Sequence, residues 1–203
     1  QQPIVAAHLV EAMTIPLPET SSGAIRADAV GRLQVSHQSR GYSVLALGPG
    51  LSQDTETERA VIGMIHSLPI PAVLDADALN LLANQPISAV RRLFEGRGAP
   101  VLLTPHPGEA ARLLKTDVAA VNKDREAAVR LLASEFACVC LLKGPRTVIT
   151  DGRRLWENPS GNAGLAKGGS GDVLTGIIAG LWSQRLTPGA GVEGFEAAAL
   201  GAY

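Results

Sequence analysis

The chain has 203 residues, 46% of them hydrophobic and 18% charged, with a formal net charge of -1. That is enough for one buried core and a single domain over residues 1–203, and the balance gives no electrostatic reason to bind nucleic acid or an anionic membrane. No apolar run reaches the roughly 18 residues of a membrane span, and no secretory leader is read, so a cytoplasmic location is expected.

Residues 42–48 (YSVLALG) form the first predicted strand, short, Val- and Leu-rich and without alternation, as in a sheet covered on both faces. Residues 55–68 read as a helix with Val61, Ile62, Ile65 and Leu68 on one stripe. The second strand is 72–77 (AVLDAD) and the third 101–106 (VLLTPH), with turns at 84–86 and 96–100. A helix over 124–136 aligns Ala128, Leu131, Leu132 and Phe136, and leads into a fourth strand at 138–144 (CVCLLKG). Cys138 and Cys140 are two apart on that strand, a poor geometry for a disulfide, and read as reduced core residues. TVITDGRRLWENP then predicts a hairpin turning at Asp151-Gly152. The βαβα order predicts an α/β fold: a mostly parallel sheet between two layers of helices, with right-handed crossovers. Ligands in such sheets sit at the carboxyl ends of the strands. Gly48 to Gly50, Asp75, Asp77, Thr104, His106, Gly108, Glu109, Lys143 and Gly144 all lie at those ends.

The stretch NPSGNAGLAKGGSGDVLTGIIAG carries seven glycines and runs into a helix with Leu174, Ile177, Ile178 and Leu181 at helical spacing. The first turn of a helix offers unpaired N–H groups and a partial positive charge, and glycines let a phosphate approach the backbone. The stretch is not a Walker loop, because Lys167 precedes the glycines, nor a Rossmann turn, because it follows a hairpin late in the chain. Asp172 has two readings: a capping aspartate, or a base beside an anion hole that takes a hydroxyl proton during phosphoryl transfer. Gly176 and Gly180 form a GxxxG that predicts close helix packing.

LALGPGLSQD, VLDADALNLLA, LLTPHPGEAARLL, LLKGPRTVI and the glycine stretch, in that order, resemble the NAD(P)H-hydrate dehydratase family of the ribokinase-like superfamily. The resemblance runs from about Val44 to Trp182, with a weaker match at PLPE near Leu17. It implies a ribokinase-like three-layer fold and a repair enzyme that returns the hydrated cofactors NADHX and NADPHX to NADH and NADPH. It also implies ADP (or ATP) and Mg2+, with ADP expected from the bacterial cast of the motifs. The ring hydroxyl would be phosphorylated and phosphate then eliminated, which suits the chemistry, since phosphate leaves far more readily than hydroxide.

Carried over residue by residue, the resemblance puts Lys143, Gly144, Pro145, Arg146 and Thr147 at the adenylate part of the nucleotide and Gly171 at its phosphates. Gly168, Gly169 and Ser170 would build the anion hole, with Asn162 supporting it. Asp172 would be the base at the substrate hydroxyl, and Gly50 and His106 would touch the hydrated dinucleotide. Metal ligands are not implied. Asp75 reads either as a helix cap or as the holder of a metal-bound water, His106 as a ligand or a structural histidine, Glu109 as an electrostatic partner or a first-turn acid, and Lys143 as a nucleotide ligand or a snorkelling strand-end lysine. Members of the family usually carry a further strand and a glycine-rich turn ahead of the matched region. None is read ahead of Gln1, so a domain trimmed at both ends is expected, possessing the nucleotide half and lacking part of the substrate half. A homo-oligomer and fusion to an epimerase domain are also expected. Two other functions fit the glycine loop: a ribokinase-like kinase of a vitamin-precursor alcohol, and an inactive nucleotide-binding remnant.

Overall fold

The apolar runs pair side by side in a computed structural model that describes residues 2–9, 11–184 and 193–203. They form one six-stranded sheet, β1 (Leu45–Leu47), β2 (Ala72–Leu74), β3 (Val101–Leu103), β4 (Val139–Leu142), β5 (Val148–Thr150) and β6 (Leu155–Glu157), in that spatial order. β1 to β4 run parallel, and β4, β5 and β6 are antiparallel, so the hairpin at Asp151-Gly152 is present. The helices are α1 (Gln2–His8), α2 (Ala29–Arg40), α3 (Thr55–Ser67), α4 (Ala76–Ala83), α5 (Ile87–Gly96), α6 (Pro107–Leu114), α7 (Val118–Lys123), α8 (Arg125–Phe136), α9 (Ser170–Ser183) and α10 (Gly194–Ala202). Among the described residues no helix is long and apolar enough to cross a membrane.

Successive strand residues serve opposite faces. Ala72, Leu74, Leu103, Cys140 and Leu142 pack with Val61, Ile65, Phe94, Leu132 and Phe136 of α3, α5 and α8. Val73, Leu102, Leu141 and Ile149 pack with Ile178, Trp182, Ala197 and Ala198 of α9 and α10. Both faces are apolar, which is why the strands show no polar alternation. Burial pushes the thiols of Cys138 and Cys140 up, and both are free.

β2 and β3 are shorter than predicted because a polar side chain just past each run captures the next helix: the Asp75 side chain accepts from the Ala76 amide to start α4, and His106 caps α6. Asp54 and Asp124 cap α3 and α8 from the connections ahead of them.

Three packing expectations are corrected. Leu131 of α8 is 48% exposed, and Val129 and Ala133 join Ala128, Leu132 and Phe136 on the buried face. The buried stripe of α9 is Thr175, Ile178 and Trp182, while Ile177 faces outward. The GxxxG does not pack: a Cβ at Gly176 or Gly180 would meet open space. Close helix contact comes from α10 instead, where a Cβ at Gly194 would stand 2.8 Å from Trp182 and one at Gly201 2.8 Å from Ile178. α9 turns its two glycines away from the sheet because its larger apolar residues bury more area there.

Candidate functional site

Backbone hydrogen bonds continue beyond the parallel strands and set where their ends lie. Leu47 O accepts from Asp75 N at 3.1 Å, Leu74 O from Thr104 N at 3.1 Å, and Pro105 O from Lys143 N at 2.8 Å. Gly48, at φ +140°, passes so close to β2 that a Cβ would stand 1.7 Å from the Asp75 carbonyl oxygen. Only glycine fits there.

Asp75 is 1% exposed and lies at the centre of a polar cluster. Its Oδ1 accepts from Ala76 N at 2.8 Å and from Lys143 Nζ at 2.6 Å, and its Oδ2 accepts from Thr175 Oγ1 of α9 at 2.9 Å. Both earlier readings of Asp75 are therefore incomplete. It caps α4, and it also ties β4 and α9 to β2. Ala76 beside it sits at φ +48°, a strained position for a residue with a side chain, held by this over-determined neighbourhood. Asp77 points elsewhere, accepting from Ser52 N at 2.9 Å and Gln53 Nε2 at 3.3 Å. It thereby pins the loop that contains Gly50, itself at φ +69° with open space around it.

Glu109, 4% exposed, extends the cluster: its Oε2 is 3.8 Å from Lys143 Nζ and accepts from His106 N at 2.8 Å. Burial raises its carboxyl above the ordinary value, opposed by the His106 amide and the Lys143 charge. The folded state thus holds that proton more tightly than the unfolded chain. The associated stability is present at low pH and lost as pH rises through the raised value. Glu109→Gln does not titrate there, so going from about pH 4 to about pH 7 should shift stability in the variant's favour relative to wild type. Denaturant titrations at several pH values test this, and a pH-independent difference would rule it out.

The glycine stretch lies over the Lys143 end of this cluster. A Cβ at Gly171 would be 3.5 Å from both Asp75 Oδ2 and Lys143 Nζ. Gly169, at φ +90°, occupies the N-cap of α9 without a side-chain cap. Asp172 is exposed in the first turn, and the N-cap is Gly169, so Asp172 is a first-turn acid that complements the helix dipole and not the capping residue. Gly168 is exposed, and Ser170 begins the helix. Asn162 accepts from Gly164 N at 2.8 Å and caps a short 3-10 turn, Ala163–Leu165, just before Lys167.

The segment between β4 and β5 is shaped from below by Arg125, which donates to Leu142 O at 3.0 Å and Lys143 O at 3.2 Å. Gly144 lies against that guanidinium at φ +143°. Thr147 Oγ1 donates to Gly144 O at 3.1 Å, and Arg146 pairs with Glu157 of β6. An open cleft of about 360 Å³ adjoins this turn, with Pro145, Arg146, Val148, Leu155, Arg125 and Glu157 among its lining residues.

Of the residues singled out from the sequence, Lys143 pairs with Asp75, Gly171 lies beside that pair with room for no more than an ordinary contact, and His106 joins them through Glu109. Pro145 and Arg146 face the cleft beside β5, and Gly50 stands on a separate loop held by Asp77. Sequence reasoning missed Thr175 and Arg125. Thr175 left a signal, as a lone hydroxyl on the Thr175, Ile178, Trp182 stripe of an otherwise apolar helix face. Arg125 left none.

The profile of a family described as NAD(P)H-hydrate dehydratase matches residues 4–202, well beyond the stretch first recognised. A bifunctional NAD(P)H-hydrate repair enzyme of Moorella thermoacetica is 48% identical over 204 residues, which cover 100% of this chain and 36% of that protein. An ADP-dependent (S)-NAD(P)H-hydrate dehydratase of Neisseria meningitidis is 46% identical over 153 residues, 72% of this chain and 49% of that one. Among solved structures, an ADP/ATP-dependent NAD(P)H-hydrate dehydratase of Bacillus subtilis, co-crystallised with ATP/Mg2+, superposes with a TM-score of 0.73 at 31% identity. That superposition covers 98% of this chain and 62% of the Bacillus chain. The chain therefore spans between about a third and two thirds of the length of these relatives.

Proposed function

We propose, from the premise that this chain belongs to the NAD(P)H-hydrate dehydratase family, that it carries the nucleotide-dependent dehydration of NADHX and NADPHX to NADH and NADPH. The observation that carries the reading is a free carboxylate, Asp172, in the first turn of a glycine-led helix that stands over the buried Lys143–Asp75 pair.

In this reading the nucleotide phosphates lie along the N–H groups of Gly168 to Asp172, and Lys143 adds a positive charge beneath them. Asp172 takes the proton of the ring hydroxyl as its oxygen attacks the terminal phosphorus. The new bond is O–P, and the bond that breaks is the phosphoanhydride of the nucleotide, so ADP leaves as AMP. The ring C–O bond then breaks with phosphate as the leaving group, pushed by the lone pair of the ring nitrogen, and the neighbouring ring carbon gives up a proton to water, which restores the double bond of the reduced nicotinamide. Residues 143–147 hold the adenylate, and Gly50 and His106 hold the dinucleotide.

A divalent cation fits this strand-end cluster in a limited way. Among the described residues no group of three or more His, Cys, Asp or Glu side chains could hold one alone. Asp75 and Glu109 offer hard carboxylate oxygens, but those of Asp75 are already bonded to Lys143, Thr175 and the Ala76 amide. Glu109 is buried, biased toward its protonated form and bonded to His106 N, so the ion would be held mainly by the nucleotide phosphates and water, where it would neutralise phosphate charge. The Moorella relative is named a bifunctional repair enzyme, so that protein carries a second activity beside this one.

The test is formation of reduced nicotinamide from hydrated NADH or NADPH with Mg2+ and either ADP or ATP. Asp172→Asn is expected to lower turnover by on the order of 10² to 10⁴, while the nucleotide still raises the melting temperature of the variant. A variant retaining half of the activity would remove Asp172 from the chemistry. A stable phosphorylated alcohol as product would mark a kinase and overturn the dehydratase reading.

A further inference from the structure

We infer that the N-terminus of α6 fixes His106 as the Nε2–H tautomer, so that His106 presents a hydrogen-bond donor at the strand-end site, with Gly108 and Glu109 as its positioning residues. Its contact with the hydrated dinucleotide rests on the function proposed above; the tautomer does not.

Every residue of the HPGE stretch has a place in this arrangement. His106 is the N-cap, and its Nδ1 accepts from Gly108 N at 2.9 Å and from Glu109 N at 3.4 Å. A ring nitrogen that accepts from amides carries no proton, so in the neutral imidazole the proton is on Nε2. Pro107 is the first helical residue, where its missing N–H costs nothing. Gly108 makes room for the ring: a Cβ there would stand 2.8 Å from Cε1 and 3.2 Å from Nδ1 of His106. Glu109 completes a capping box by accepting from His106 N at 2.8 Å.

The outward nitrogen is left over. Nε2 lies 3.5 Å from Glu109 Oε1, beyond hydrogen-bond range, and the side chain is 49% exposed. Asn, Ser or Asp would cap this helix at least as well. What imidazole adds is a second polar atom on the far side of the ring, which the cap leaves free and fixes as N–H. Such a group recognises an acceptor, a carboxamide oxygen or a phosphate oxygen, and a hydrated nicotinamide dinucleotide carries both.

Histidine 15N NMR of the protein near neutral pH tests the tautomer, with the His106 signals identified by their loss in His106→Asn. Expected are a pyridine-type Nδ1 and a pyrrole-type Nε2. The averaged shifts of a mobile ring, or a protonated Nδ1, would overturn the inference. Gly108→Ala should return His106 to averaged shifts, and Glu109→Gln, which preserves the capping box, should not. If Gly108→Ala keeps the wild-type pattern, Gly108 is not a positioning residue. In turnover, His106→Asn keeps the cap and the melting temperature, and should raise KM for the hydrated dinucleotide on the order of tenfold, about one hydrogen bond, with a much smaller change in kcat. An unchanged KM would remove the donor role. A wild-type protein with the expected shifts and no turnover would overturn the proposed function and leave the tautomer standing.

Discussion

Asp75→Ala is expected to destabilise the protein by about 3 kcal/mol or more, the scale of breaking a buried ion pair from one side. The substitution leaves three groups behind. The Lys143 ammonium, whose side chain is 20% exposed, loses a partner at 2.6 Å and keeps only Glu109 at 3.8 Å. The Thr175 hydroxyl and the Ala76 amide lose their acceptor. Glu109 and the remaining solvent around Lys143 soften the loss, which places the estimate at the low end of the range for buried pairs. Asp75→Asn keeps the shape and an acceptor for Thr175 but not the charge, and should fall between alanine and wild type. Because Asp75 joins β2, β4 and α9, the alanine variant should also lose the nucleotide-dependent rise in melting temperature. Urea unfolding and a nucleotide melting shift measure the two effects. A loss below about 1 kcal/mol would show that the cluster is replaceable by water.

Arg97→Met should cost a similar amount, about 3 kcal/mol, and leave turnover intact below the melting transition. Arg97 is 3% exposed and faces five carbonyl oxygens: Ile65 and Leu68 at the end of α3, Ile70 ahead of β2, and Ala99 and Pro100 ahead of β3, at 2.7 to 3.2 Å. Burial pulls its guanidinium below the usual arginine value. Leu68 O and Pro100 O keep a backbone donor without it. Ile65 O has no i+4 donor, because residue 69 is proline. Each buried acceptor left unpaired costs about 1 to 3 kcal/mol, less where water enters. These carbonyls lie at the amino ends of β2 and β3, opposite the candidate site, which is why stability and turnover should separate. Denaturant midpoints paired with turnover assays decide it. A variant as stable as wild type would mean the carbonyls find other donors.

The layered α/β fold was legible without coordinates because both faces of the sheet are buried. Short Val- and Leu-rich runs between amphipathic stretches leave few other arrangements, and the ends of those runs located the strand-end polar cluster through Gly48, Asp75, His106 and Lys143. The glycine stretch announced a helix mouth open to phosphate, since the amides of a first turn are unpaired wherever that turn lies. The polar geometry inside the cleft was a different matter. Asp75, Lys143 and Thr175 are widely separated in sequence and touch only because β2, β4 and α9 meet; no local pattern encodes a contact of that range. The same limit misplaced the packing face of α9, where α10 and not the GxxxG supplies the glycines. The cap at His106 lay between these cases. Its residues are consecutive, so the sequence by itself determined a helix start, but only the folded chain decided that the imidazole is the acceptor, because that depends on the ring lying over Gly108.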